Sequence, residues 1–273
     1  MSKVWFITGT SRGFGREWAL AALERGDRVA GTAREPSTLD ALVKQYPETF
    51  LAVPLDVTDR DGDFAAVQRA AAHFGRLDVV VNNAGYGQFG MIEELTEDEV
   101  RAQLETNVFG ALWVTQAALP ILRAQGSGHI LQVSSIGGIT AFAGVGAYHA
   151  SKWALEGFSQ ALAQEVAPFG VHVTLIEPGG FSTDWAGSSA KRSAELPAYE
   201  SAWAADKARR ANMSRGNPGS SSEAILKVVD ASEPPLRVFL GRAPLGIAEA
   251  DYASRLANWR EWQDVAVAAH GDD

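Results

Sequence analysis

The chain has 273 residues, a formal net charge of −9, 46% hydrophobic and 21% charged residues, and no cysteine. This composition supports a sizeable core and excludes intrinsic disorder. The acidic balance argues against nucleic acid as a partner, since phosphate contacts need a basic face, and the missing thiols exclude disulfides, thiolate metal ligands and a cysteine nucleophile. No stretch reaches the roughly 20 apolar residues needed to span a bilayer, and the run after Met1-Ser2-Lys3 is too short for a signal-peptide core. A soluble, cytoplasmic protein with no membrane partner is expected.

Short apolar runs bounded by turn residues fall at 4–8, 28–33, 50–56, 77–82, 129–134, 171–176 and 237–241. They lack strict alternation, which suits strands covered on both faces, and helical patterns follow the early ones. The expectation is an α/β fold, one doubly wound parallel sheet of about seven strands flanked by helices, in a single domain over 1–273. Helix starts are marked by Thr58-Asp59-Arg60-Asp61 and Thr96-Glu97-Asp98-Glu99, a threonine cap followed by an acid. Longer helices are expected over 97–119 and 146–166. From 182 to 222 no strand is expected; the length of that segment, its hinge-like Gly179-Gly180 entry and its Gly/Ser-rich exit read as a substrate lid. A last helix, at about 248–269, spaces Tyr252, Leu256 and Trp259 for packing or self-association.

Directly after the first run comes Thr8-Gly9-Thr10-Ser11-Arg12-Gly13-Phe14-Gly15. Glycines at a strand-to-helix junction let backbone approach a pyrophosphate, and the helix start offers unpaired N–H groups and the positive dipole end. The spacing Gly-x-x-x-Gly-x-Gly differs from the usual dinucleotide fingerprint, so a tight structural turn is a competing account of these residues taken alone. The second run closes on Ala33-Arg34 with no acid to meet a ribose hydroxyl. Arg34 and Arg12 can grip a phosphate bidentately, which points to NADP(H) over NAD(H); two solvated surface arginines are the alternative.

Tyr148 and Lys152 stand four apart in the uninterrupted 146–166 stretch and share a face. A phenol titrates near ~10, too high for easy proton exchange at neutral pH, and a neighbouring ammonium lowers that value. Core packing with a snorkelling lysine competes for the pair alone. Ser135, at the end of the fifth run, sets a hydroxyl where it can donate to an oxygen that gains charge; Ser134 competes for that role. Asn107 places a residue of low helix propensity inside 97–119. The five histidines form no ligand pair, so no metal is expected, and no Gly-x-Ser-x-Gly elbow points to hydrolase chemistry.

The glycine turn, Asp56-Val57, Asn82-Asn83-Ala84-Gly85, Tyr148-His149-Ala150-Ser151-Lys152 and Pro178-Gly179-Gly180-Phe181-Ser182-Thr183 occur in this order. Together they closely resemble the short-chain dehydrogenase/reductase family from Lys3 to about Gly241, most of all the branch of 17β-hydroxysteroid dehydrogenases and related ketoreductases. The resemblance implies a Rossmann fold with Gly9, Ser11, Gly13, Phe14 and Gly15 at the pyrophosphate and Asp56, beside Val57, on the adenine amine. It sets Asn82 through Gly85, with Asn83 and Ala84, on the adenine-ribose side; an asparagine that only ties strands together remains an alternative for Asn82. Pro178, Gly179, Phe181 and Thr183 would lie along the nicotinamide, with Thr183 on its carboxamide.

In the same resemblance Tyr148 is the acid/base, Lys152 also binds the nicotinamide ribose, Ser135 steadies the substrate oxygen and Asn107 relays protons through water. The reaction implied is reversible hydride transfer between NADPH and a ketone or aldehyde. Gln88, Phe89, Ile136, Phe142, Trp185, Tyr199 and Trp203 would surround an apolar or aromatic substrate, in a homodimer or homotetramer. An NAD-linked alcohol oxidiser and a non-catalytic dinucleotide sensor are the alternatives; the latter predicts a broken catalytic position, and none is broken.

Overall fold

In the computed structural model, residues 2–187 and 189–271 are described. Met1, Asp272 and Asp273 of the expected domain, and Ser188 of the expected lid, lie outside the described residues. In chain order the elements are β1 (Val4–Ile7), α1 (Gly13–Glu24), β2 (Arg28–Ala33), α2 (Asp40–Gln45), β3 (Phe50–Pro54), α3 (Arg60–Phe74), β4 (Val79–Asn82) and β5 (Gln88–Phe89). There follow α4 (Glu97–Leu104), α5 (Ala111–Gln125), β6 (Gly128–Val133), α6 (Gly146–Val166), β7 (Val171–Pro178) and β8 (Lys191–Arg192). The chain then forms α7 (Glu200–Ala211), α8 (Ser222–Asp230), β9 (Arg237–Leu240), α9 (Pro244–Glu261) and α10 (Gln263–Ala268).

Seven strands form one parallel sheet in the order β3-β2-β1-β4-β6-β7-β9. The period of two along a strand divides the core between the sheet's faces. Val4 and Phe6 of β1 join one apolar layer with Ala66, Val67, Val114 and Leu122 of α3 and α5. Trp5 and Ile7 join the opposite layer with Trp18, Ala22, Ile225 and Val229 of α1 and α8. Both faces are therefore covered, and the fold is a single α/β domain of the doubly wound Rossmann type. Among the described residues no helix is long and apolar enough to cross a membrane.

Local expectations hold unevenly. Thr96 caps α4 in a box with Glu99, whereas α3 is capped by Asp59, whose carboxylate accepts from Gly62 N at 3.1 Å, while Thr58 turns back to Asp56. The helix expected over 97–119 is split by a π-helical turn at Glu105–Gly110, and α5 runs on through Pro120. Pro120 lies on the solvent side, so the carbonyl it leaves unbonded faces water. The segment expected without strands supplies β8, which pairs in parallel with β5 as a two-stranded ribbon; two residues are too few to show a period. The helix expected over 248–269 starts earlier, at Pro244, and breaks at Trp262.

Candidate active site

Strand order reverses between β1 and β4, and at such a switch point the loops beyond the strands' carboxyl ends diverge to leave a crevice. A cleft of about 840 Å³ opens there, running from Arg34 and Asp56 past the glycine turn to Ser135, Tyr148 and Lys152. Gly9, Ser11, Arg12, Gly13, Phe14, Val57, Asn83, Ala84, Gly85, Ile136, Phe142, Pro178, Gly179, Phe181, Thr183 and Trp185 also line it.

The turn after β1 is built for a bound oxyanion. Gly9 and Gly13 have φ of +70° and +58°, a region costly for side chains. A β-carbon on Gly15 would sit 2.4 Å from Gly9 O, so Gly15 stays out of the cleft wall and instead lets α1 close on the turn. Above Gly13, a β-carbon would meet nothing nearer than Thr183 at 3.8 Å. The N-terminus of α1 has no side-chain cap, which leaves its N–H groups for a ligand. Asn83 fixes the turn from β4 by donating Nδ2 to Thr8 O and Gly9 O at 2.8 and 3.1 Å. Glycine cradle, uncapped helix and cleft length fit a dinucleotide's pyrophosphate.

Asn82 is structural instead. Its Nδ2 donates to Ala111 O, Thr115 Oγ1 and Gln132 Oε1, tying β4 to β6 and α5. At the far end Arg34 is exposed beside Asp56, whose Oδ1 takes the Thr58 N–H and hydroxyl. Arg12 is engaged with the other side of the cleft, its Nη1 lying 2.6 Å from Asp184 Oδ2. That contact joins the glycine turn to the segment following β7.

At the opposite end α6 presents Tyr148, 7% exposed, and Lys152, 6% exposed, on one face. Burial pushes the phenol up to about 12, with a hydrogen bond to Ser135 pulling the other way. Lys152 donates Nζ to Val133 O at 2.7 Å, with its nitrogen 5.6 Å from the Tyr148 ring centroid. Burial pushes the ammonium down to about 8, and Glu156 opposes that shift. Ser135 Oγ accepts from Gly137 N at 3.0 Å and faces the phenol. Ser134 is turned behind it, where a β-carbon on Gly138 would touch its hydroxyl.

A charged pair that the spacing Lys152-x-x-x-Glu156 could have flagged lies behind the lysine. Arg237 Nε reaches Glu156 Oε2 at 3.0 Å and Glu177 Oε1 at 3.4 Å, joining α6, β7 and β9. Burial first, then the Glu156 charge, pushes the Glu177 carboxyl upward against the pull of Arg237.

Asn107 does not line the cleft. The π-helical turn aims its carboxamide at the β4–β5 loop, where Oδ1 accepts from Tyr86 N and Nδ2 donates to Tyr86 O and Ser151 Oγ. It clamps that loop to α6. His149, which its place next to Tyr148 on the helix would turn away from the site, is in the cleft wall. Its Nε2 accepts from Phe142 N, so Nδ1 carries the hydrogen it shares with Gly137 O, and the 137–142 loop is held at both ends.

The residues expected around a substrate separate into two groups. Trp185 lies on Tyr148 with ring centroids 4.8 Å apart, and Ile136 and Phe142 line the cleft. The others lie behind its wall. Gln88 is buried and donates to Ser193 Oγ, and Phe89 packs under Trp185. Tyr199 reaches out to Glu93, and Trp203 anchors α7 by donating its indole N–H to Glu94 at 3.0 Å. In their place Lys191, Arg209, Arg210 and Arg215 enter the lining, residues that a search for apolar surface passes over.

The comparisons agree with this geometry. A family profile described as short chain dehydrogenase matches residues 3–194. The oxidoreductase BOA17 of Botryotinia fuckeliana is 43% identical over 275 residues, covering 98% of this chain and 100% of that protein. Among solved structures, a short-chain dehydrogenase from Streptomyces avermitilis superposes with a TM-score of 0.93 at 41% identity, covering 98% of each chain. An alcohol dehydrogenase from Thermococcus sibiricus complexed with 5-hydroxy-NADP gives 0.74 at 26% identity, covering 88% of this chain and 96% of its own.

Proposed function

The chain belongs to the short-chain dehydrogenase family and is an oxidoreductase, and on that premise we propose that it is an NADPH-dependent carbonyl reductase, running in reverse as an alcohol dehydrogenase. The observation that carries the reading is a buried, protonated Tyr148 with Ser135 and Lys152 at one end of a dinucleotide-sized cleft. A nicotinamide bound in the cleft supplies the hydride for the carbonyl carbon. Tyr148 hands its proton to the carbonyl oxygen, and Ser135 donates a hydrogen bond to that oxygen as charge grows on it. The phenolate left behind is stabilised by the Lys152 ammonium, which Val133 O holds in place. In reverse the phenolate takes the alcohol proton. Trp185 covers the ring and keeps water from it, which gives the segment at about 182–222 the character of a lid.

Two features support NADP(H): the absence of an acid at the end of β2, and Arg34 at the rim where a 2′-phosphate would sit. The Thermococcus neighbour, complexed with 5-hydroxy-NADP, adds support. Arg12 adds to the site only by exchanging Asp184 for the phosphate, and that ion pair is the observation favouring the second reading, an NAD-linked alcohol oxidiser. The test is NADPH oxidation against a panel of ketones and aldehydes, repeated with Tyr148→Phe. Turnover should fall by ~10²–10⁴-fold in that variant while NADPH binding persists. Turnover near the wild-type level overturns the mechanism.

A further inference from the structure

The chain carries a net charge of −9, yet the segment covering its active site turns cations inward. Lys191, Arg209, Arg210 and Arg215 all line the cleft. Arg209 lies over the Phe142 ring at 5.0 Å and Arg210 over Phe89 at 4.3 Å. Those two rings pack in one cluster with Tyr148 and Trp185, so the guanidiniums stand at the Tyr148 end, away from the glycine turn and Arg34 where a dinucleotide's phosphates belong. A single carboxylate serves both: Asp206, 8% exposed and itself outside the cleft lining, contacts Arg209 and Arg210. One negative charge against two positive ones leaves an excess in a half-buried place, and burial together with Arg209 and Arg192 depresses the pKa of Arg210 despite Asp206. The half-buried Arg210 and the more open Arg209, whose Nη1 also meets Met213 Sδ at 3.6 Å, put crowded guanidinium charge at the cavity wall, which is suited to an oxyanion.

Building on the carbonyl-reductase reading, we propose that Arg209 and Arg210 bind an oxyanion of the substrate, a carboxylate or phosphate at the opposite end of the molecule from the carbonyl that meets Tyr148. The substrate class is then an apolar or aromatic ketone ending in an acid. The ring stacking of the two arginines orients them toward that oxyanion as well as fastening α7 to the body.

The experiment compares kcat/KM for benzoylpropionate and benzoylbutyrate with that for their methyl esters, in the wild type, Arg210→Gln, Arg209→Gln and Arg210→Lys. The wild type should favour at least one acid over its ester, and each Gln variant should lower that ratio by roughly ten- to a hundredfold, the worth of a charge-assisted contact. Arg210→Lys keeps the charge without the fork and should fall between. A phosphonate counterpart of the preferred ketone ranks the two oxyanions. Equal rates on acids and esters in the wild type, or losses in equal proportion on both in the Gln variants, overturn the proposal. If the wild type reduces none of these compounds, the reductase reading fails for them, and calorimetric titration with phenylbutyrate still decides the anion site: binding abolished by Arg210→Gln supports it, and no binding overturns it.

Discussion

Replacing Glu156 by Gln removes a charge one helical turn from Lys152 and keeps the shape of the side chain. Residues four apart on a helix have β-carbons ~5–6 Å apart, and a unit charge at roughly 6 Å acts with about 3 kcal/mol at an effective dielectric of ~20. Arg237, 3.0 Å from the same carboxylate, cancels part of that field. About half remains, equal to about one pKa unit. Around Lys152 lie the Val133 carbonyl that accepts its hydrogen bond, the Tyr148 ring and the Glu156 carboxylate, which Arg237 ties in turn to Glu177. Burial holds Lys152 at about 8 against the pull of Glu156, so in Glu156→Gln the ammonium loses its proton sooner. Reduction needs that ammonium, so kcat/KM is flat at low pH and falls as pH rises through the lysine's value. The falling limb should move down by about one unit. Burial, then Glu156, push the Glu177 carboxyl up to about 8, so below that pH Glu177→Gln removes no charge and its limb should move less. Steady-state NADPH oxidation over roughly pH 6–10 reads both variants. Equal shifts in the two, or none in Glu156→Gln, refute the reasoning, because a purely structural role treats these isosteric changes alike.

Arg12→Ala combined with Arg34→Ala should raise the NADPH dissociation constant by roughly ten- to a hundredfold and that of NADH far less; side-by-side fluorescence titrations check this, and a wild type that prefers NADH refutes it. Asp63 is fully buried with neither carboxyl oxygen hydrogen-bonded, and burial, then Asp59 and Asp56, push it up to about 8. The folded chain keeps a proton there that the unfolded chain releases from about pH 4 upward, so stability falls as pH rises over that window. Asp63→Asn should therefore gain on the order of 2–3 kcal/mol near pH 8 and almost nothing near pH 4; a gain in melting temperature that ignores pH removes the explanation. Trp203→Ala, losing the tie to Glu94 and the packing over Gly144, should cost ~2–4 kcal/mol and lower kcat/KM for bulky and small ketones together. Altered selectivity at constant Tm would place the indole against substrate instead.

What the sequence disclosed was whatever depends on period and local chemistry. The seven runs became the seven strands because strands covered on both faces must be continuously apolar, and α6 kept its expected limits because nothing between Gly146 and Val166 interrupts the helix. Tyr148, Lys152, Ser135 and the glycine turn converge on one cleft for the same reason: each sits at a strand end or on a single helix face. Hidden features depend on partners far along the chain. The indole of Trp203 finds Glu94 across 109 residues, which no spacing reveals, so from sequence its large apolar surface reads as pocket lining. Asn107 is legible as an oddity in a helix, but the turn of wider pitch that aims it at Tyr86 follows from packing. Arg209 and Arg210 occur in a polar helix where charge normally means solvent, and only the rings of buried Phe89 and half-buried Phe142 beneath them turn them inward.

The strand order has a consequence for how the chain is made. Starting from β1, each later strand of the large sheet docks at an outer edge of those already present: β2 and β3 extend one side, and β4, β6, β7 and β9 extend the other in the order of synthesis. No strand has to slip between two already joined, so the sheet can accrete as the chain leaves the ribosome, amino end first. Until β9 arrives, the eight residues of β7, nearly all buried in the finished sheet, form the growing margin. A chain stopped before Arg237 presents that long apolar edge to other chains, so a truncation there should yield insoluble protein even though every group named in the hydride-transfer chemistry lies upstream.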